Sequence, residues 1–96
     1  MSEHTEVRDA PDESRFELRV DGELAGFASY RRRRGVVEFL HTEVDDHFEG
    51  RGLGATLVEA ALDAVRDSGA RVIASCPFVA SYVERHPDYA DLLTPT

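Results

Sequence analysis

The spacing of apolar residues changes at Val44, and this change constrains the fold more than any other feature of the chain. Before it, apolar and polar side chains alternate over residues 16–20, and residues 24–30 and 36–44 form two further strand-like runs. Such alternation indicates half-buried β-strands. After it, apolar residues recur every three or four positions from about Gly52 to Ser68, which indicates an amphipathic helix. The first half of the chain is therefore predicted to be an antiparallel meander, and the second half begins with a helix.

Turn residues set the boundaries of these elements. Asp21-Gly22 is a two-residue hairpin signal, and residues 31–35 make a second turn. Gly69 ends the helix in a left-handed cap position. A short apolar strand over residues 71–76 and a second helix over residues 77–85 complete the order β-β-β-α-β-α.

The length of 96 residues allows one domain with one hydrophobic core. Residues 1–14 are acidic, contain Pro11 and show no periodicity, so we expect a flexible N-terminal tail there. The domain is then expected over residues 15–96.

Charge and cysteine content limit the classes of partner and the compartment. Eleven basic residues, all arginine, stand against 19 acidic ones, which gives a net charge of −8. A field of that sign repels phosphate backbones and anionic lipid, so neither nucleic acid nor a membrane is the expected main partner. No apolar run approaches the roughly 20 residues of a membrane span. The single cysteine, Cys76, and a polar start unlike a signal peptide favour the cytoplasm.

A glycine-rich segment joins the third strand to the helix. This glycine loop is Glu49-Gly50-Arg51-Gly52-Leu53-Gly54. Glycines let the backbone approach a ligand closely, and the free N–H groups of a helix's first turn bind anions. Pyrophosphate suits that geometry, with Arg51 as the local cation. A tight turn that binds nothing is the alternative.

Two other phosphate motifs do not fit this loop. A Walker loop is excluded because no Gly-Lys-Ser/Thr follows. The Rossmann fingerprint is nominally matched by Gly50, Gly52 and Ala55. However, five residues separate the strand from the first glycine, and the next strand carries no acidic residue for a ribose hydroxyl.

Several segments in this order resemble the small YjdJ-type branch of the GNAT superfamily of N-acetyltransferases. They extend over nearly the whole chain, from Phe16 to Leu93: His41-Thr42-Glu43-Val44, the glycine loop, the helix from Leu53 to Arg66, Ser75-Cys76-Pro77-Phe78-Val79 and Ser81-Tyr82-Val83. The resemblance implies an α/β (α+β) fold with a GNAT-like mixed, mostly antiparallel sheet and two helices. It also implies an open acceptor site, because this branch lacks the extra elements that build an acceptor pocket in larger GNAT enzymes.

The resemblance further implies acetyl-CoA as co-substrate, in the splay between the strands that end at Val44 and Cys76. The backbone of Val44 would face the pantetheine arm, and the loop amides would hold the pyrophosphate. The residues implied in coenzyme binding are Val44, Glu49, Gly50, Arg51, Gly52, Leu53 and Gly54. The family has Gln or Arg where this chain has Glu49, and a carboxylate there is unfavourable for binding a pyrophosphate.

Acetyl transfer to an amine needs a base, donors for the thioester carbonyl and an acid for the leaving thiolate. Alternation along the third strand predicts Glu38, Thr42 and Val44 on one face and His41 on the other. Glu38 lies where GNAT enzymes often have a base, or is a solvated carboxylate. His41 could exchange a proton near neutral pH, or be a hydrogen-bonded structural histidine.

Cys76 and Tyr82 are the remaining catalytic candidates. Cys76 could carry the acetyl group as a nucleophile, if His41 or the following helix favours its thiolate. A buried structural cysteine is the alternative. Tyr82 could protonate the CoA thiolate, as a tyrosine after this strand does in many GNAT enzymes, or be a core aromatic residue.

Two clusters are not expected to be sites. His41, Asp45, Asp46 and His47 match no metal-ligand spacing, and no metal is expected. The arginine run over residues 31–34 lies about 30 Å from the glycine loop, at the far end of a strand of about nine residues at roughly 3.3 Å each. That run is interpreted as a solvated hairpin tip or a small docking patch.

The sequence thus predicts an acetyl-CoA-dependent N-acetyltransferase, acting on an unidentified amine as a monomer or homodimer. Two alternatives remain open at this point. One is a non-catalytic CoA- or acyl-CoA-binding module, and the other is a protein-interaction domain with a degenerate site.

Overall fold

The structure is a computed structural model that describes residues 4–94. One sheet contains five strands in sequential order, β1-β2-β3-β4-β5. Neighbouring strands are antiparallel except for the parallel pair β4–β5. This is the mixed, mostly antiparallel sheet with two helices that the sequence predicted. The elements are β1 (Thr5–Ala10), β2 (Arg15–Val20), β3 (Glu23–Arg33), β4 (Val36–Val44), α1 (Leu53–Ser68), β5 (Arg71–Ala74) and α2 (Pro77–Arg85).

Strand β1 corrects the predicted tail for residues 5–10. It pairs with β2 along its whole length, from Thr5 opposite Val20 to Ala10 opposite Arg15. All of its side chains are exposed or half-buried, so the sequence has no apolar alternation there from which a strand could be predicted. Its neighbours are also distant in sequence, since Asp9 accepts from the Tyr30 hydroxyl. Residues 1–3 of the predicted tail lie outside the described residues.

Both helices pack on the same face of the sheet, here called the inner face. Helix α1 buries its apolar stripe against β2, β3 and β4, and α2 adds Val79, Tyr82 and Val83 to the same core. The opposite, outer face is uncovered by any helix of residues 4–94, and it carries the side chains of Glu17, Ser29 and Glu38. Over the same residues, no helix is long and apolar enough to cross a membrane. The buried α1 residues are Leu53, Leu57, Val58, Ala61, Leu62 and Val65.

A β-bulge at Leu40 reverses the faces of β4 after that residue. Ser29 pairs with His41 and Tyr30 pairs with Phe39, so Leu40 is one extra residue on β4. An extra residue shifts every later side chain to the other face. Thr42, opposite the buried Ala28, therefore lies on the inner face. The simple alternation predicted from the sequence is wrong beyond the bulge.

Strands β4 and β5 stay paired over only four residue pairs and then separate. The last pair is Phe39 with Ala74, after which the Cys76 N–H donates to the Phe39 carbonyl at 2.9 Å. Beyond this point β4 continues to Val44, whereas the chain after β5 turns into α2. The separation leaves a V-shaped opening between the strand ends, on the side where α1 and α2 begin.

Candidate functional site

The glycine loop leads into α1 through left-handed backbone. Gly50 has φ 82° and Gly52, the N-cap of α1, has φ 72°, angles that favour glycine. An added Cβ would meet no atom within 4 Å at either position, so backbone conformation alone requires these glycines. Because the N-cap residue is glycine, it has no side chain that could accept hydrogen bonds from the N–H groups of the first turn.

The first turn of α1 therefore offers donors to a ligand. The first N–H to bond back into the helix is that of Thr56, which donates to Gly52 at 3.3 Å. The three preceding amides have no partner four residues earlier within a helix that begins at Leu53. No acidic residue stands in that turn to satisfy them. This arrangement suits an anion.

Gly54 is glycine for a different reason from Gly50 and Gly52. Its φ is not positive, but an added Cβ would lie 2.7 Å from Cζ of Phe78. The Phe78 ring, on the first turn of α2, thus packs directly against the backbone of α1. The sequence assigned Gly54 to close approach of a phosphate, and Phe78 was part of the family-like segment but was not a candidate site residue.

A cleft of about 240 Å³ opens at this point. The Arg51 guanidinium lies 5.3 Å from the centre of the Phe48 ring, which forms part of the cleft wall. Glu49 is exposed and also lines the cleft, so a positive and a negative side chain flank the same opening. The residues lining it are Val44, Phe48, Glu49, Gly50, Gly52, Leu53, Gly54, Ala55 and Phe78.

Cys76 lies at the inner end of the V-shaped opening. It is 3% exposed and is the N-cap residue of α2. Its sulfur is 3.4 Å from Oγ1 of Thr42, and either group can donate. Thr42 was not singled out from the sequence, because the bulge at Leu40 turns it toward the thiol.

His41 lies on the opposite side of β4 from Cys76. Its Nε2 is 3.5 Å from Oε1 of Glu43, and its ring centre is 6.1 Å from that of Phe27 on the outer face. Among the hydrogen bonds of residues 4–94, none joins His41 to the thiol. The side chain is 60% exposed, so it faces solvent.

Glu38 is held on the outer face as a carboxylate. The Ser75 hydroxyl donates to Oε2 at 2.6 Å, and Arg33 donates to Oε1 at 3.1 Å. These bonds, that of Ser75 foremost, hold the pKa of Glu38 below its usual range, with Arg31 adding to the effect. A carboxylate so stabilised is a weak base. The contacts also tie β4 to the residue before Cys76.

Tyr82 lies between the two helices. Its hydroxyl donates to Glu59 of α1 at 3.4 Å, and its ring stacks on His86 at 4.0 Å between centres. Burial raises the pKa of this hydroxyl, and the charge of Glu59 adds to the rise. The hydroxyl of Tyr82 thus faces α1, and its bond to Glu59 joins the two helices.

The two clusters set aside from the sequence have structural partners. Asp45 accepts the His47 N–H at 2.9 Å and caps a short 3₁₀ turn. Within residues 4–94, no three His, Cys, Asp or Glu side chains come together as metal ligands. In the arginine run, Arg31 and Arg33 pair with Glu38, and Arg32 pairs with Asp9.

Comparisons with known proteins agree with this geometry. Residues 15–92 match the sequence pattern of the GCN5-related N-acetyl-transferase family. The chain belongs to this family.

Individual relatives are similar at the level of sequence or fold. Protein NATD1 of Mus musculus is 36% identical over 62 residues, which is 62% of this chain and 56% of that protein. The chain thus spans about half the length of the curated relatives it matches. A GCN5-like protein from Staphylococcus aureus shares 25% identity with a TM-score of 0.70, covering 95% of this chain and 89% of that one.

A more distant similarity concerns the fold alone. The ribosomal-protein-alanine N-acetyltransferase from Brucella melitensis has a TM-score of 0.57 and 19% identity, over 85% of this chain and 62% of that one. More than a third of that chain lies outside the matched part.

Proposed function

We propose that this chain is an acetyl-CoA-dependent N-acetyltransferase of the cytoplasm that transfers acetyl to an amine. The observation that carries the proposal is the first turn of α1, whose open amides meet the cleft beside the strand splay. Backbone amides bind a pyrophosphate without needing a net positive protein. This matters in a chain of net charge −8.

The coenzyme would approach from the inner face, where the helices begin. Its pyrophosphate would rest on the amides that follow Gly52, with Arg51 near, and its thioester would reach toward Cys76. In a covalent route the Cys76 thiolate attacks the thioester carbonyl. A new S–acetyl bond then forms, the bond to the CoA sulfur breaks, and CoA leaves as the thiol after taking up a proton.

The acceptor would approach from the outer face. His41, with Glu43 beside it, is exposed there and could take the proton of an ammonium group. The resulting amine would attack the acetyl carbonyl through the strand splay, so that the amide bond forms and the bond to sulfur breaks. A second proton from the nitrogen would pass to the departing sulfur, which leaves as the Cys76 thiol or, in direct transfer, as CoA. Glu38 is less suited to this step, because Ser75 and two arginines favour its charged form.

Calorimetric titration with acetyl-CoA tests the coenzyme site. We expect saturable binding by the natural chain, and loss of at least tenfold in affinity for Gly52→Glu, whose carboxylate would enter the anion site. Gly35→Glu is the matched control, because Gly35 also has positive φ (76°) with open space around it but lies at the β3–β4 turn. Absence of binding by the natural chain at low salt would contradict the proposal and favour an interaction domain.

Mass spectrometry after incubation with acetyl-CoA tests the covalent route. We expect an acetyl group on Cys76 that is lost in Cys76→Ser. Turnover of a panel of amines by Cys76→Ser at the natural rate would instead show direct transfer. Binding without turnover of any amine or any Cys76 adduct would identify a non-catalytic CoA-binding module.

A further inference from the structure

Phe78 is an aromatic side chain at the centre of the candidate site that the proposed reaction does not use. It is 40% exposed, similar to Leu24 and Leu40, the other large apolar side chains at the surface of residues 4–94. Of these three, Phe78 is the one that lines the cleft at the glycine loop. Its surroundings are therefore those of the site and not of ordinary surface.

The position of the ring is determined from two sides. The ring tip rests on the backbone of Gly54, where any larger residue would place its Cβ 2.7 Å from Cζ. On the other side, Phe78 follows Pro77 at the start of α2, two residues after Cys76. The ring thus contacts the first turn of α1, and its residue lies two positions along the chain from the buried thiol.

This location corresponds to one part of the coenzyme. A molecule with its pyrophosphate at the α1 amides and its thioester at Cys76 must pass Phe78 with the segment that joins them. In CoA that segment is the pantetheine arm, which carries methyl and methylene groups. We infer that Phe78 is the apolar wall that positions this arm.

The consequence is selectivity for pantetheine-bearing coenzymes over nucleotides that offer the same pyrophosphate. The inference rests on the proposed function, because it assumes that the cleft takes a CoA thioester. Apolar contact between the ring and the arm would contribute about tenfold to affinity. Nucleotide and pyrophosphate binding would not depend on the ring.

Two ligands and three variants test this inference by calorimetry. The ligands are acetyl-CoA and 3′-phospho-ADP, which carries the nucleotide and pyrophosphate of CoA without its arm. The variants are Phe78→Ala, Phe78→Leu, which keeps an apolar wall, and Leu24→Ala, which removes an equally exposed apolar side chain elsewhere. Thermal melts check that each variant folds.

We expect Phe78→Ala to weaken acetyl-CoA binding about tenfold and to leave 3′-phospho-ADP binding unchanged. Phe78→Leu should lose less affinity for acetyl-CoA, and Leu24→Ala should lose none. Unchanged or tighter acetyl-CoA binding by Phe78→Ala would overturn the inference, as would equal weakening of both ligands. These outcomes are separate from failure of the proposed function, in which the natural chain itself would not bind acetyl-CoA.

Discussion

Gly54→Ala should stabilise the protein only when the Phe78 ring is absent. Replacing a helical glycine by alanine normally stabilises by roughly 0.5–1 kcal/mol, and the first turn of a helix favours the lower value. At Gly54, however, the new Cβ would lie 2.7 Å from Cζ of Phe78 and 3.4 Å from both Cε atoms. The ring must therefore withdraw to make room.

The structure sets the size of this conflict. Restoring a separation of 3.4 Å requires a withdrawal of 3.4 − 2.7 = 0.7 Å. The buried part of the half-exposed ring contributes roughly 1–2 kcal/mol, and a gap of this size forfeits a quarter to a half of a contact. We therefore expect a loss of about 0.25–1 kcal/mol in the natural background, which is centred near the helix gain and offsets it. In the Phe78→Ala background the gain of about 0.5 kcal/mol should appear in full.

Urea denaturation of the four proteins of this cycle measures the coupling. The chain has no tryptophan, so far-UV circular dichroism is the suitable signal. Midpoints can be compared if the urea dependence of the unfolding free energy stays constant. Ala64→Gly is the control, because Ala64 is exposed on α1. This substitution should lower the free energy of unfolding by the same amount in both backgrounds.

Equal effects of Gly54→Ala in the two backgrounds, within about 0.3 kcal/mol, would refute the reasoning. They would mean that the ring moves away from α1 without cost. Gly54 would then have to be explained by its approach to a ligand alone. A coupling clearly above 1 kcal/mol would instead mean that the ring cannot withdraw and that α2 itself shifts.

Three further predictions concern charge and the hydroxyl of Tyr82. Glu49→Gln should tighten acetyl-CoA binding about two- to fivefold at low salt, and titration in 1 M salt, where the Debye length is about 3 Å, should abolish the gain. Glu17 accepts from Arg15 and Arg19, which hold its pKa below the usual range, Arg15 foremost. The stabilisation from these ion pairs is therefore complete above the pKa that Glu17 has in the unfolded chain. It is lost as pH falls through the lower pKa that Glu17 has in the folded protein. In urea denaturation, Glu17→Gln should lower the free energy of unfolding by about 1 kcal/mol at pH 7 and by much less at pH 3. A difference between the two proteins that does not change with pH would contradict this. Tyr82→Phe should lower stability slightly and leave turnover unchanged, whereas lost turnover would restore Tyr82 as a proton donor.

Local patterns in the sequence were sufficient for the main helix and the central strands. The helix was expected from Gly52 to Ser68 and is observed as Leu53–Ser68, with Gly69 as its left-handed cap. This succeeds because a helix that packs on a sheet must repeat its apolar residues at its own period. The glycine loop was readable for the same reason, since left-handed angles at Gly50 and Gly52 need glycine whatever the rest of the chain does.

The pairing of the edge strand β1 could not be predicted from the local sequence pattern. The residues of β1 are mostly polar and lie at the edge of the sheet, so burial does not impose alternation on them. Their partners, β2 along the strand and Tyr30 at Asp9, are contributed by later parts of the chain. Composition alone therefore favoured a loose segment.

The sequence by itself determined the order of elements from β2 onward, the left-handed glycines before α1 and the nature of the candidate side chains, because each depends on residues near one another in the chain. Only the tertiary structure decided which of those side chains meet. The extra residue Leu40 depends on how β3 and β4 pair, and it brings Thr42 to the thiol while leaving His41 outside. Likewise, the need for glycine at position 54 comes from Phe78, a residue that only the packing of α2 against α1 brings into contact.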